Sequence, residues 1–284
     1  MHTRTILIES LHQTEGIFTI SIGITFVLFF PRSVSNPTSL TEMRYFSKQE
    51  AEILHERVIR DDPSKSHKGE NITKEEIRST FTNWRLVAHV LATVTALSPM
   101  TALMAYGPQF VGSWGFDRLQ ANAMMAVGPS IGLFMTVLWG FLADRFGYRG
   151  IVALAGMAIW WLFLFLSRLL VNSSDGGARF GVLVIAAAFG GTWHPVNGSW
   201  MALNAPTAGE RSITMAILIM SANASAIIGS QVFQEDDAPL YIAGWTTIVT
   251  LVSVGVVAMG CANMQYWALN RRLKKAGSLM RYQL

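Results

Sequence analysis

The sequence predicts an all-α, polytopic membrane protein, and three observations carry that prediction. Of the 284 residues, 51% are hydrophobic and only 14% are charged, well short of the roughly 25% charged residues of soluble domains. Mean hydropathy is positive at +0.35. Apolar runs of about 20 residues, the length that crosses a hydrocarbon core at the helical rise, recur along the chain. The one cysteine, Cys261, lies inside such a run, which excludes a disulfide framework and a cysteine-based metal site. The net charge of +4 resides in loops and tails, so it reports orientation and not nucleic-acid affinity.

A first apolar run, 17–30, ends at Pro31 and spans a bilayer only if its helix reaches back through Glu15 toward Ile6. It does not read as a signal peptide, because Glu9 and Glu15 precede it and Phe30-Pro31-Arg32 offers no small-residue cleavage site. Residues 32–83 form the long polar segment. Within it, the apolar positions of 48–58 recur at helical spacing, predicting a short amphipathic surface helix that Asp61-Asp62-Pro63-Ser64 ends. Thr73-Lys-Glu-Glu76 fits a capping box leading toward the next apolar run. The segment reads either as a linker lying on the inner membrane surface or as a solvated loop.

Six clear spans follow, at 86–110, 120–143, 150–171, 180–203, 212–233 and 242–266. Ten lysines and arginines fall between Arg32 and Arg85 and five between Arg271 and Arg281, and the loops at Arg145/Arg149 and at Arg211 are also basic. Those regions belong in the cytosol. The alternate loops carry Arg118, then Arg168 and Arg179, then the acidic Glu235-Asp236-Asp237. Six spans return both flanking basic regions to one side, so span count and charge agree.

Between the second and third spans lies Gly140-Phe-Leu-Ala-Asp144-Arg145-Phe-Gly147-Tyr-Arg149. Gly140 would let one helix end lie close against its neighbour, and Gly147 lets the chain reverse within a few residues. Asp144 can cap the next helix or pair with an arginine, latching two helix ends together. An ordinary basic inner loop explains Arg145 and Arg149 but not the acid and the glycines.

This spacing resembles the short cytoplasmic loop signature of major facilitator transporters. A second set of residues is similar to the fungal anion:cation symporters, the allantoate and nicotinate permeases: Tyr106-Gly-Pro108-Gln109-Phe110, Gly115-Phe116, Ala121-Asn122, Asn204, Gly209, Arg211-Ser212, Ala222-Asn223 and 231–244. The resemblance covers roughly 15–275. It implies a C-terminal six-helix bundle of a carrier built from two such bundles, with substrate held between them near the midplane. The expected organisation is then 1–31 as the end of a sixth transmembrane helix, 32–83 as a cytoplasmic central linker, 84–268 as the bundle and 269–284 as a basic cytoplasmic tail. A first bundle is absent from this sequence, so it reads as a truncated transporter; the rival is a half-size protein that works as a dimer. The resemblance implies proton-coupled uptake of a small organic anion or vitamin-like solute through the plasma membrane.

The fourth span supplies the strongest substrate-path residues. Pro195 cannot donate to the carbonyl of Gly191 and clashes with it, predicting a kink beside Gly190 and Gly191 close to the bilayer centre. Broken helices at that depth are tolerated where protein or a water-filled cavity covers them. Trp193, Asn197 and Trp200 share one helical face, giving two aromatic walls and an amide; the alternative is a glycine-packed interface with tryptophan as filler. His194 and His89 are the histidines inside the spans, and the 18 acids fall in loops or at helix ends. His194 is therefore the expected proton carrier of this half, set against a histidine bonded to a neighbouring helix.

Asn223, midway along the fifth span, should point inward toward substrate or another helix. Tyr106 and Gln109 stand near the outer end of the first. Gly128 and Pro129 offer a hinge or a close helix contact. Asn204 and Arg211 mark the second cytoplasmic loop. No H-E-x-x-H pair, G-x-S-x-G serine or compact acidic cluster supports an intramembrane enzyme, and no cofactor is expected. A channel or helical receptor shares the topology. The expected partners are the lipid bilayer, a small-molecule substrate with protons, and a missing N-terminal bundle or second copy; nucleic acid is not among them.

Overall fold

In a computed structural model, residues 2–33, 36–61, 72–278 and 281–284 are described, and the chain divides into two compact units, residues 1–70 and 71–284. In the first unit, α1 (His2–Phe29) is one continuous helix. It extends back past Ile6, so Glu9 and Glu15 stand within a helix and not in a loop or at a helix end as their sequence position suggested. Its last carbonyls, which a helix leaves unpaired, are met from the following turn: Thr41 donates to Leu28 and the Tyr45 hydroxyl to Phe29. Then α2 (Lys48–Asp61) starts on a reciprocal cap between Ser47 and Glu50 and turns Ala51, Leu54, His55 and Val58 to its half-buried side. The expected terminator at Asp62-Pro63-Ser64 lies outside the described residues.

In the second unit, α3 (Lys74–Phe81) carries the expected capping box: the Thr73 side chain accepts from Glu76 N–H, and the Glu76 carboxylate accepts from Thr73 N–H. The long helices are α4 (Arg85–Ser113), α5 (Arg118–Phe146), α6 (Arg149–Leu169), α9 (Ala208–Gly229) and α10 (Ile242–Lys275). These five are long and apolar enough to cross a membrane. α4, α5, α6 and α9 begin ahead of the predicted starts, as polar first turns such as the Asp117–Gln120 capping box of α5 extend a helix beyond its apolar stretch, whereas α6 and α9 end short of the predicted 171 and 233.

The span expected at 180–203 is instead two helices, α7 (Gly176–Phe189) and α8 (Trp193–Leu203). At roughly 21 and 17 Å, neither alone matches a core of about 30 Å. The interruption falls at Gly190-Gly191-Thr192, ahead of Pro195. There the ladder tightens, with Thr192 N–H donating to Phe189 at 3.3 Å and His194 N–H to Gly191 at 3.2 Å. The Gly191 carbonyl is thus taken within the turn and not left free as the proline argument implied. Proline alone does not break these helices: α4 runs through Pro99 and Pro108, and α5 through Pro129. The adjacent glycines, with their backbone freedom, supply what proline alone does not.

The bundle is assembled around α4, which packs along α9, α10 and α5, while α6 packs along α7, α8 and α10. Its contacts use small residues, as helices in lipid do. A Cβ on Gly128 would lie 2.5 Å from Ala187 Cβ, one on Gly255 2.9 Å from Ala96 Cβ, and one on Gly229 would strike the Ser98 carbonyl. Gly140 differs: a Cβ there would meet open space, so within this chain it does not serve the close helix approach expected of it.

Candidate functional site

The helix break opens onto a cleft of about 410 Å³ between α4, α5 and α7. Met100, Leu103 and Met104 line it from α4, Met125, Pro129 and Gly132 from α5, and Trp160 from its floor; Gly190 and Gly191 form the broken edge. Met100 and Met104 share a face because they lie four residues apart. Among the described residues, no charged side chain lines the cleft. Methionine chains adapt to irregular apolar shapes, so this wall suits the hydrocarbon or ring portion of a solute. Of the hinge residues, Pro129, Gly190 and Gly191 meet here, whereas Gly128 is pressed between Ala187 and the Val184 carbonyl. Pro195 is exposed on α8.

The aromatic face of α8 is not in the cleft. Trp193, Asn197 and Trp200 are fully buried in the bundle. Trp193 closes on its own turn, its indole N–H donating to Gly190. Asn197 bridges to α4: its Oδ1 accepts from His89 Nδ1 at 2.6 Å, and its Nδ2 donates to Thr93 Oγ1 at 3.3 Å. Trp200 and Tyr266 flank His89, at 4.8 and 5.8 Å between ring centroids. Within this chain the amide is therefore occupied by helix-to-helix bonds. His194 is half-buried against Trp193, and its Nε2 is buried without a hydrogen-bond partner among the described residues.

Asn223 lies on the exposed side of α9, not against another helix of this chain. An exposed amide in an apolar helix needs a polar partner from outside the bundle. At the acidic end, Tyr106 joins Phe110, Phe233 and Tyr241 in an aromatic cluster, and Gln109 Nε2 donates to the Tyr241 hydroxyl at 2.8 Å.

At the opposite, basic end, Gly147 ends α5 with φ 71°, the left-handed turn that favours glycine. Asp144 pairs with Arg149 at 2.6 Å, so the acid latches the start of α6 to the end of α5. Asp144 does not cap α6, whose flanking residue is Tyr148; Arg145 is exposed. In the next basic loop Asn204 caps α8, and Arg211 Nε donates to the Ala202 carbonyl at 3.2 Å. Glu76 reaches the same loop, accepting from the Thr207 hydroxyl at 2.6 Å. Those hydrogen bonds, Thr207 first and then Thr73, hold its carboxyl below the ordinary 4.5.

Several of these residues escaped the sequence reading. No motif singles out the cleft methionines, although Met100 and Met104 stand four residues apart beside Pro99. His89, Thr93 and Tyr266 have no short-range signal that pairs them with α8.

The sugar (and other) transporter family profile matches residues 15–262. An uncharacterized transporter of Saccharomyces cerevisiae is 23% identical over 239 residues, covering 81% of this chain and 43% of the relative. One of Schizosaccharomyces pombe is 21% identical over 264 residues, covering 92% and 51%. The MFS transporter prlL of a fungal species is 24% identical over 253 residues, covering 88% and 50%. The chain spans about half the length of these relatives. With a match running through nearly every helix described above, the chain belongs to the sugar (and other) transporter family, within the major facilitator superfamily.

Proposed function

We propose that this chain is one six-helix half of a carrier for a small organic anion or vitamin-like solute, coupled to protons and working by rocking against a second bundle. The observation that supports this most is the cleft at the α7–α8 break, where a discontinuous helix edges an apolar concavity about midway along the bundle. Irregular backbone at membrane depth is tolerated where it lines a cavity. Because no charged side chain among the described residues lines this wall, the solute's charge is met by the facing bundle. That bundle comes from the remainder of a longer chain or from a second copy.

In this reading the basic end faces the cytosol, residues 1–31 are the end of a preceding span, and 32–83 contain the linker between bundles. The tail from 269 lies on the cytosolic side, and the plasma membrane is the site of action. Asn223, exposed on α9, faces the second bundle. His194, with a ring nitrogen unpartnered among the described residues, is the group that exchanges the coupling proton. The Asp144–Arg149 pair keeps the α5–α6 turn rigid while the bundles rock.

The test is uptake of labelled small organic anions into proteoliposomes, with the chain alone and co-reconstituted with the six-helix first half of a full-length relative. Saturable uptake that a protonophore abolishes supports the proposal. No stimulated uptake in either preparation, across vitamin, ureide and carboxylate probes, would sink it.

A further inference from the structure

The C-terminal residues do not trail away from the bundle. Residues 282–283 are bonded at the basic end to α8 and α10. Two asparagines read two consecutive tail residues in the same way. Asn270 Oδ1 accepts from Tyr282 N–H at 2.8 Å while its Nδ2 donates to the Tyr282 carbonyl at 2.9 Å. Asn204 Oδ1 accepts from Gln283 N–H at 2.9 Å while its Nδ2 donates to the Gln283 carbonyl at 3.2 Å. The Trp200 indole N–H adds a bond to the Gln283 carbonyl at 2.8 Å. Each amide thus offers a backbone the donor and acceptor that a neighbouring β-strand would offer.

The side chains are held as well. The Tyr282 ring meets Tyr266 edge to face at 5.7 Å, and the Arg85 guanidinium stands 4.6 Å over it. Tyr282 and Leu284 both pack against the bundle core. The clasp therefore gathers α4 through Arg85, α8 through Trp200 and Asn204, and α10 through Tyr266 and Asn270. A loose tail needs none of these partners.

We infer that Trp200, Asn204, Tyr266 and Asn270 form a peptide-backbone site whose resident ligand is the chain's own segment 282–283, and that this docked segment straps α8 to α10. The consequence is mechanical. The half-helix beyond the Gly190–Thr192 break is joined to α7 through an irregular turn, so a strap at its far end restrains its motion. The docking stands on this geometry alone; the link to solute movement rests on the function proposed above.

Trimming by a carboxypeptidase reads the docking without any transport assay. In the unaltered 284-residue chain, release of Leu284 and Gln283 is expected to be about tenfold slower than in Tyr282→Ala, which alters the tail and leaves the asparagines and the helices intact. Equal rates in the two chains overturn the proposal. The second readout is hydrogen exchange of the α8 amides, expected to speed up in Tyr282→Ala while those of α9 do not. If α8 exchange is unchanged when the tail is freed, the strap is overturned. Failure of uptake assays would not alter either measurement, so the two proposals fail separately.

Discussion

His89 Nδ1 and Asn197 Oδ1 lie 2.6 Å apart in the bundle interior, tying the basic half of α4 to the half-helix that follows the break. Because Asn197 Nδ2 donates to Thr93, its Oδ1 is left to accept, and His89 donates through Nδ1. Asn197→Leu removes the acceptor and leaves the imidazole N–H unpaired among apolar neighbours. The expected cost is about 1–3 kcal/mol, read as a lower Tm of the purified chain in detergent. An unchanged Tm would show that the bond contributes nothing to the fold.

Gly128 and Gly140 stand on one helix and should respond oppositely to the same change. In Gly128→Ala the new methyl lies 2.5 Å from Ala187 Cβ and 3.0 Å from the Val184 carbonyl. Neither is the end of a flexible side chain, so α5 and α7 must separate, at about 1–3 kcal/mol. In Gly140→Ala it meets open space, and better helix propensity adds up to about 1 kcal/mol. Denaturant unfolding of both variants decides between packing and permissiveness.

If the cleft receives solute, filling it should block uptake. Met104→Trp and Thr136→Trp each place a large ring at the cleft wall. In a transport-competent assembly they are expected to lower kcat/KM by about tenfold or more, a barrier change near 1.4 kcal/mol. Phe134→Trp, on an exposed face of α5 outside the cleft lining, is the control expected to leave uptake unchanged. Equal effects at all three positions would remove the cleft from the path.

The proton role proposed for His194 has its own readout. Replacing it as His194→Gln keeps a polar side chain but removes the titration near neutral pH. Uptake by this variant should lose its dependence on external pH. A pH profile identical to the unaltered protein would assign the coupling elsewhere.

Glu76 fastens α3 to the start of α9 through Thr207, and its pKa is lowered, first by that bond and then by Thr73. A depressed carboxyl contributes stability that is fully present above its ordinary value of 4.5 and is lost as pH falls through the lower folded value. At neutral pH α3 should stay docked, and its amides should exchange faster once pH falls below the carboxyl's ordinary 4.5 and through its lower folded value. In Glu76→Gln that acid-dependent step should vanish.

The strongest sequence signals were those a membrane imposes. Apolar runs of spanning length placed the five long helices, and Thr73 with Glu76 marked the start of α3. Gly147 was legible because its left-handed turn demands glycine at one position. Local patterns of this kind depend on a helix and its solvent, not on which helix comes next.

Helical spacing puts Trp193, Asn197 and Trp200 on one face of α8, but which surroundings that face meets depends on how α8 is rotated against α4 and α10. No spacing within one helix contains that rotation. The fourth span was visible as an apolar run with an interruption beside Gly190 and Gly191, but that it divides there into two helices while Pro99, Pro108 and Pro129 sit in unbroken helix was not legible from proline alone. The tail is the extreme case. Residues 281–284 and Asn204 are some 77 or more positions apart, and no local pattern announces that one amide will hold the other's backbone. The sequence alone determined that this chain is a helical membrane bundle, since hydrophobic length and charge act residue by residue. Only the tertiary structure decided which polar groups meet inside it, because hydrogen-bond partners in a bundle are set by helix packing across the chain.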